Sequence, residues 1–216
     1  MIAAILLAAG RAERFGAPKL VASTGAPDGA PVVRRAAAGL LASRVSGVVV
    51  VLGSDAAAVR GALAGLPMGF VVNDRYADGM GSSIRAGVEQ VQTAMPAAAG
   101  VIVALGDQPT VGPDIVDALI ARFEATRRPD SGEVGVAIVA PRYAGMDGPP
   151  VLFARALFPE LLSITGDHGA RGVVWRDPSR VAFVEFSQAP PRDVDTAADL
   201  RALQPGGNSH DDRTEG

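Results

Sequence analysis

The chain has 216 residues, 48% hydrophobic and 20% charged, which is an ordinary globular balance and is long enough to bury a sizeable core. A net charge of −3 excludes a general attraction to nucleic acid or to an anionic membrane, and no apolar run approaches the roughly 20 residues of a spanning helix. The absence of cysteine excludes disulfides, thiolate metal sites and thiol catalysis. We expect a soluble cytoplasmic protein with one domain over residues 1–204 and a disordered polar tail over 205–216.

Apolar runs with strand spacing and helix spacing alternate along the chain. Strands are predicted over residues 2–7, 47–52, 69–72, 100–105 and 134–140. Helices are predicted over 31–42, from Asp55 to about Leu66, from a cap at Ser82 or Ser83 to Met95, and from Pro113 onward. Residues 150–153, 154–162, 181–186 and 197–203 predict a short strand, a helix, a last strand and a short helix.

This alternation predicts an α/β fold, a Rossmann-like three-layer sandwich with a mostly parallel central sheet. In such folds, ligands bind beyond the carboxyl ends of the strands. Three polar segments follow predicted strands: residues 10–19, residues 74–83 and Asp107. We therefore expect the functional site at that edge of the sheet.

The first of these segments is a glycine-rich, cationic loop. Residues 6–19 read L-L-A-A-G-R-A-E-R-F-G-A-P-K. Glycines let the backbone approach phosphate oxygens, and Arg and Lys supply donors and charge. The loop matches neither G-x-G-x-x-G nor the phosphate loop ending in G-K-[ST]. Two glycines, two arginines and a Pro-Lys pair exceed what a solvated basic turn needs, so the loop predicts phosphate binding.

Asp107 is a lone carboxylate at the end of a buried strand, within a G-D-Q-P segment. Such a group suits Mg²⁺, which prefers carboxylate oxygen and usually keeps several waters and substrate phosphates. Helix capping is a weaker explanation, because Pro113 and Asp114 already begin the next helix.

The spacing L-A-A-G-x-x-x-R-F-G-x-P-K resembles the signature of the MobA-like nucleotidyltransferases, Rossmann-like enzymes that move an NMP from an NTP to an acceptor. Ala12 stands where that family usually has a small hydroxyl residue. The segments G-M-G-S-S and G-D-Q-P are similar to the molybdenum cofactor cytidylyltransferase branch. Ala9 agrees with this branch, since guanylyltransferase relatives carry L-A-G-G. The resemblance spans residues 2–203.

The resemblance implies a set of residues for the donor nucleotide and its metal. The nucleotide site would comprise Leu7, Ala8, Ala9, Gly10, Arg14, Gly16, Lys19, Gly79, Gly81, Ser82 and Asp107, of which Lys19, Arg14 and Asp107 would be catalytic. Asp107 and Asp195, the latter in D-V-D-T, would hold Mg²⁺. Ordinary helix capping is the alternative role for Ser82 and for Asp195.

Two later segments resemble the acceptor half of the family. Residues 148–153 are similar to G-x-P-V-L-F, and residues 166–171 are similar to G-D-x-G-A-R. The acceptor site implied by this resemblance comprises Gly148, Pro150, Asp167, Gly169 and Arg171. A rigid turn explains residues 148–150 equally well. His168 lies at the variable position of its motif and receives no role.

By resemblance, the donor is CTP and the acceptor is the molybdenum-bound pterin monophosphate, with Mg²⁺ as cofactor. The product would pass through a transient contact to a molybdenum hydroxylase or its maturation chaperone. Three alternatives stay open: transfer to another small acceptor such as a sugar phosphate, a non-catalytic pterin carrier, and a nicotinamide-binding Rossmann protein. A carrier would not need both carboxylates and the Arg-Lys loop, and the last class would need G-x-G-x-x-G.

Overall fold

The computed structural model describes residues 1–10, 18–25, 28–127, 135–167 and 169–203. Within these ranges one sheet contains β1 Ile2–Ala8, β2 Val48–Leu52, β3 Gly69–Val72, β4 Gly100–Leu105, β5 Ile138–Tyr143, β6 Met146–Asp147, β7 Val151–Ala154 and β8 Val181–Phe186. The helices are α1 Val32–Leu41, α2 Ala56–Ala62, α3 Met80–Ala94, α4 Pro113–Thr126, α5 Phe158–Leu162, α6 Arg171–Arg176 and α7 Ala197–Ala202.

The strands lie in the order β3-β2-β1-β4-β7-β5, with β8 along the other edge of β5. β6 pairs with the end of β5 on the side where β7 pairs with its beginning. β1 to β4 are parallel, while β7 is antiparallel to both β4 and β5. Consequently β5 and β8 run in the same direction as β1 to β4, which confirms the mostly parallel sheet.

Helices cover both faces of this sheet and give three layers. Alternate residues of β1 point to opposite faces, as the pleat of a strand requires. Ala4 and Leu6 pack in a buried cluster with residues of α1, α2 and α4. Ala3 and Ile5 pack in a second cluster with residues of α3, α5 and α6. β1 is buried along its whole length, which explains its unbroken apolar sequence.

The carboxyl ends of β1, β4 and β8 reach one edge of the sheet. Leu7 pairs with Leu105, so the turns that follow β1 and β4 begin side by side. β8 is parallel to β5 and ends at the same edge, so the chain after Phe186 returns there. The topology therefore places Lys19, Asp107 and Asp195 at the edge that the parallel order predicts.

Several predicted boundaries are wrong. α3 begins at Met80, with Gly79 as its N-cap residue, and the hydroxyl of Ser82 instead donates to the carbonyl of Gly79 within the first turn. α2 ends at Ala62, before a turn in which Gly65 adopts a φ of 81°. β6 and α6 were not predicted, because two and six residues are too short for a periodic pattern.

The fifth strand begins at Ile138, and the predicted start at residue 134 lies outside the described residues. The predicted tail over 205–216 also lies outside them. No helix in the described ranges is long and apolar enough to cross a membrane.

Candidate active site

The side chain of Lys19 joins two acidic residues that are far apart in sequence. Its Nζ donates a hydrogen bond to Oδ2 of Asp107 and another to Oδ1 of Asp195, each at 2.8 Å. The exposed fractions of the side chains are 15% for Lys19, 22% for Asp107 and 49% for Asp195. The structure therefore brings the two predicted metal carboxylates together, with a positive charge between them.

Lys19 has a further distinction in the sequence. It is the single lysine among 216 residues, whereas arginine occurs 19 times. An ammonium is a compact charge with three donors, while a guanidinium is a planar fork suited to bidentate contacts. A tetrahedral ammonium fits between two separate carboxylates, and this requirement explains why lysine occupies the position. The solitary lysine is a signal that our sequence analysis missed.

A turn of 3-10 helix positions Lys19, and the turn after β4 positions Asp107. Lys19 begins a single turn of 3-10 helix that buries Leu20, which is 7% exposed. Asp107 follows Gly106, whose N–H donates to the carbonyl of Leu7 at 2.9 Å. This bond holds the turn after β4 against the end of β1, so the carboxylate of Asp107 lies within reach of the ammonium.

Asp195 reaches the site on residues 191–195, which we call the strap. The N–H of Val194 donates to the backbone carbonyl of Asp107 at 2.9 Å. The side chain of Val194 is 1% exposed and anchors the strap in the protein. The strap thus brings Asp195 beside the residue with which it is predicted to share a metal.

A capping box lies immediately after the strap. Thr196 caps α7 by accepting from the N–H of Asp199, and Asp199 accepts in return from the N–H of Thr196 at 2.7 Å. The N–H of Asp195 also donates to Asp199, at 3.1 Å. Thr196 and Asp199 therefore supply the caps, and the carboxylate of Asp195 contacts Lys19 instead.

The charges at the site shift two pKa values. Burial by itself lowers the pKa of Lys19. The charges and hydrogen bonds of Asp107 and Asp195 have a larger combined effect, so the lysine pKa lies above its ordinary value of 10.5. Lys19 is therefore charged at neutral pH. Loss of hydration raises the pKa of Asp193, and the negative charges of Asp107 and Asp195 add to this effect, against the hydrogen bond from Gln108.

The donor set fits a hard divalent cation. One oxygen of Asp107 and one of Asp195 lie 2.8 Å from the same ammonium nitrogen, so the two oxygens already converge on a cation. Mg²⁺ is commonly bound by one or two carboxylates together with water and phosphate oxygens. Within the described ranges no three acidic, histidine or cysteine side chains form a cage for a metal. An ion at Asp107 and Asp195 would thus complete its coordination with substrate and water.

The segment predicted to contact the nucleotide base lies in the core. Leu7, Ala8 and Ala9 are 9%, 4% and 3% exposed, so contact with a base would use their backbone. Gly53 packs against Ala9 so closely that any side chain there would overlap the carbonyl of Ala9. Gly10 is exposed, and its carbonyl accepts from the hydroxyl of Ser54 at 3.4 Å. Their nucleotide-binding role stays a prediction.

Arg14 and Gly16, which were predicted to bind the nucleotide, lie outside the described residues.

Gly79 and Gly81 lie against residues 166–171, which we call the acceptor loop. Gly79 has a φ of 96°, and a side chain there would place its Cβ 2.5 Å from Oδ1 of Asp167. The N–H of Gly81 donates to the carbonyl of Gly166 at 2.9 Å. Glycines predicted for the nucleotide therefore hold the segment predicted for the acceptor, so the two predicted sites adjoin.

Ser82 is 4% exposed, and its hydroxyl bonds within the protein. It donates to the carbonyls of Arg75 and Gly79 at 2.8 Å and accepts from the amide of Asn73 at 2.8 Å. Asn73 also donates to Ser83 at 3.0 Å. These bonds fix the turn before α3, and a direct contact of Ser82 with nucleotide stays a prediction.

The predicted acceptor residues Gly148 and Pro150 belong to a turn that packs on Tyr143. A Cβ atom added at Gly148 would lie 3.5 Å from the ring of Tyr143. The hydroxyl of Tyr143 donates to the carbonyl of Pro149 at 3.1 Å, and burial raises the pKa of this phenol. Pro150 is buried. These contacts favour the rigid-turn alternative, while acceptor binding by the turn stays a prediction.

Gly169 and Arg171 lie at the other end of the acceptor loop. Gly169 has a φ of 55° and packs on the sulfur of Met80, where a Cβ would come within 2.6 Å. Arg171 is exposed at the first position of α6. Between them, His168 lies outside the described residues. Gly169 therefore packs the loop on the start of α3, and Arg171 follows it as an exposed residue.

The structure also reveals two residues that sequence reasoning missed. Gln108 is 3% exposed, and its amide donates to Oδ1 of Asp193 at 2.8 Å. Gln108 directly follows Asp107, and Asp193 precedes Asp195 by two positions. A polar residue adjacent to a predicted ligand on a buried strand end was the available signal.

Comparison with known proteins agrees with this geometry. The chain is 31% identical over 212 residues to nicotine blue oxidoreductase of Paenarthrobacter nicotinovorans, covering 94% of this chain and 96% of that one. It is 29% identical to Rv0371c of Mycobacterium tuberculosis H37Rv, whose structure superimposes with a TM-score of 0.76 over 94% of this chain and 97% of that one. A structure of Rv0371c in complex with manganese superimposes with a TM-score of 0.74, at 29% identity over 94% and 96% of the two chains. Residues 4–181 match the MobA-like NTP transferase domain, and the chain belongs to that family.

Proposed function

We propose that this protein transfers CMP from CTP to the molybdenum-bound pterin cofactor, releasing pyrophosphate and forming the cytosine dinucleotide cofactor. The observation that carries the proposal is the convergence of Asp107 and Asp195 on the ammonium of Lys19. Phosphoryl-type transfer needs placed charge more than a covalent nucleophile. The family supports the reaction class, and the segments G-M-G-S-S and G-D-Q-P favour CTP and the pterin acceptor.

In this reaction a terminal phosphate oxygen of the pterin attacks the α-phosphorus of CTP. The bond between that phosphorus and the oxygen bridging to the β-phosphate breaks, and its electrons leave with pyrophosphate. Asp107 and Asp195 would hold Mg²⁺, which supplies positive charge to phosphate oxygens when bound. The manganese complex of the relative Rv0371c supports a divalent ion in this family.

Lys19 has a separate role in the proposal. Its ammonium is charged, because its raised pKa lies far above neutrality, and it would stabilise the charge that develops on the leaving pyrophosphate. A hydrogen bond to a charged group contributes roughly 1.5–3 kcal/mol. By family resemblance, Arg14 would contact the same phosphates.

The acceptor would bind at the acceptor loop, which packs on the start of α3. Gly79 and Gly81 contact that loop, so a donor at the strand ends and an acceptor at the loop would be neighbours. Arg171 would bind the acceptor phosphate through a charge-assisted hydrogen bond. The product would then pass, in the cytoplasm, to a molybdenum hydroxylase or its maturation chaperone.

The test is pyrophosphate release with each of the four NTPs, with and without the metal-loaded pterin. CTP-preferring release that depends on the pterin is the expected result. Equal turnover with a sugar phosphate would instead identify a nucleotidyltransferase for another small acceptor. No release with any NTP, together with tight binding of the pterin, would identify a carrier.

A second candidate function comes from the relative at 31% identity, which is named nicotine blue oxidoreductase. On this candidate, the chain would carry out a redox reaction on nicotine blue. The first loop lacks the G-x-G-x-x-G pattern of nicotinamide dinucleotide sites, which favours nucleotidyl transfer. Oxidation of NADH or NADPH by nicotine blue, followed by absorbance, tests this candidate. A rate that is independent of CTP and unaffected by Asp107→Ala would favour it over the first.

A further inference from the structure

We propose that Gln108 and Asp193 are positioning residues that fix the strap and thereby set the carboxylate of Asp195 beside that of Asp107. The inference rests on the proposed function, since it concerns the same pair of metal carboxylates. Neither Gln108 nor Asp193 has to touch a substrate for this role.

The strap is tethered to the end of β4 at several points. The Nε2 of Gln108 donates to Oδ1 of Asp193 at 2.8 Å and contacts the carbonyl of Pro191 at 3.4 Å. The N–H of Val194 donates to the carbonyl of Asp107 at 2.9 Å. Consecutive residues in the turn after β4 therefore carry one proposed metal carboxylate and the anchor of the segment that carries the other.

The ion pair with Lys19 does not fix Asp195 by itself. The side chain of Asp195 is 49% exposed, and an ion pair at such a position holds its geometry weakly. Rigidity has to come from the backbone on either side. Downstream, the N–H of Asp195 donates to Asp199 in the capping box, and upstream the strap is held by Gln108.

The chemistry of Gln108 indicates that its amide group serves this placement. Both of its contacts, Asp193 and the carbonyl of Pro191, are hydrogen-bond acceptors, so the NH₂ end of the amide must face them. This orientation leaves Oε1 buried without a partner among the described residues. A buried unpaired carbonyl lowers stability, so an apolar side chain of similar length would suit the fold better. Glutamine at this position is therefore explained by what its NH₂ group holds.

The amide also suits the charge of the site. Gln108 donates to a carboxylate without adding a formal charge next to Asp107 and Asp195. A lysine or arginine there would add a second positive charge beside that of Lys19 and would weaken the attraction of the site for a divalent ion. Outer residues that orient metal ligands typically change metal affinity by about 10- to 100-fold when they are replaced.

The experiment measures Mn²⁺ binding to the full chain, with no nucleotide, from the EPR signal of the free ion. Two pairs of proteins are matched in formal charge: wild type with Gln108→Met, and Asp193→Asn with Asp193→Ala. We expect Gln108→Met to weaken Mn²⁺ affinity about tenfold or more without lowering Tm. Asp193→Asn keeps an acceptor for Gln108 and should bind Mn²⁺ about tenfold more tightly than Asp193→Ala.

The double variant Gln108→Met with Asp193→Ala should bind Mn²⁺ no more weakly than the weaker single variant, because both changes break one tether. Asp177→Ala is the control: it removes another hydrogen-bonded acidic side chain, one that accepts from Ser179, and should leave the affinity unchanged.

Three results would overturn the inference: wild-type affinity in Gln108→Met, equal affinities in Asp193→Asn and Asp193→Ala, or no Mn²⁺ binding by the wild type. The readout needs neither CTP nor the pterin. A wild type that binds Mn²⁺ in the expected Gln108-dependent way but releases no pyrophosphate would defeat the proposed function and leave this inference standing. A wild type that transfers CMP while Gln108→Met keeps full affinity would overturn this inference alone.

Discussion

The two halves of the sheet hold their predicted functional residues in different ways. In the half formed by β1 to β4, the charged groups of Lys19 and Asp107 contact each other. In the half formed by β5 to β8, Gly148 packs on Tyr143 and Gly169 packs on Met80. Charge at the site thus comes from Lys19 and Asp107 in the first half and from Asp195 after β8, whereas Gly148 and Gly169 let the turns of the second half pack closely on the protein. Substitutions in the two halves should therefore change different properties, the rate of the reaction in the first half and the binding of the acceptor in the second.

The largest effect is expected at Asp107. Asp107→Ala removes a proposed metal ligand, so pyrophosphate release should fall by about a thousandfold or more, beyond the loss of one catalytic hydrogen bond. The ion pair with Lys19 is partly exposed and contributes only about 1 kcal/mol, so Tm should change little. Turnover and thermal unfolding are the measurements. A fall in Tm of many degrees would assign Asp107 a structural role and remove the contrast between the halves.

Lys19 should come next. Lys19→Met should reduce the rate about tenfold to a few hundredfold, through loss of one charge-assisted hydrogen bond. Lys19→Arg keeps the charge but replaces the compact ammonium by a planar fork, so it should rescue little of the rate. Without the ammonium, Asp107 and Asp195 repel each other, and Tm in Lys19→Met should rise more with added Mg²⁺ than it does in the wild type. Full activity in Lys19→Arg would contradict the fit that we assign to the ammonium.

Gly79→Ala tests the contact between the turn before α3, in the first half, and the acceptor loop of the second half. The new Cβ would meet Asp167 and Gly166, and an L-residue at a φ of 96° is strained, which costs roughly 1–3 kcal/mol. The acceptor loop should shift, so the KM for the acceptor should rise about tenfold more than the KM for CTP. Steady-state kinetics with each substrate varied in turn measures the two KM values.

Gly61→Ala is the matched control, because nothing lies within 4 Å of a Cβ at that helix position. It should raise stability by about 0.5–1 kcal/mol and leave both KM values unchanged. Equal rises in both KM values for Gly79→Ala would show that Gly79 serves the nucleotide, as the sequence predicted.

The smallest effect is expected at Glu160, which is remote from the proposed chemistry. The pKa of Glu160 lies below its ordinary value of 4.5, chiefly because Arg180 donates hydrogen bonds to the carboxylate. The positive charges of Arg180 and Arg176 lower it further. A lowered folded-state pKa stabilises the protein above the unfolded value, and the stabilisation is lost as the pH falls through the folded value. Glu160→Gln should cost about 1 kcal/mol at pH 7, and the difference should narrow below about pH 4.5. Urea unfolding at several pH values measures the difference in unfolding free energy between the wild type and Glu160→Gln. A difference that does not change with pH would contradict the ion-pair explanation.

The sequence predicted best what depends on local pattern. β1, β2 and β4 are continuously apolar because they are covered on both faces, so their positions followed from composition alone. The meeting of Asp107 and Asp195 followed from the rule that parallel strands end at one edge and from the family resemblance. The place of Lys19 between them did not follow, because no local pattern specifies which side chains meet across 176 positions.

Other features depend on tertiary contacts, which produce no periodic pattern in the sequence. The antiparallel β7 between β4 and β5 is set by tertiary packing, since four residues carry no signal of direction. Gly79 packs on the acceptor loop, a contact that the sequence did not reveal because a glycine alone does not indicate its neighbour; its contact with nucleotide stays a prediction. Gln108 was passed over for a similar reason: its partner Asp193 is 85 positions away.

The late position of the strap has a consequence for damaged or unfinished chains. A polypeptide cut after β8 keeps every strand of the sheet described here, including the residues that pair β1 with β4. It lacks Val194 and Asp195, and with them the second acidic oxygen that faces Lys19. Such a truncated protein would lack one of the two carboxylates proposed to hold the metal, so we expect it to lose divalent-ion binding at this site.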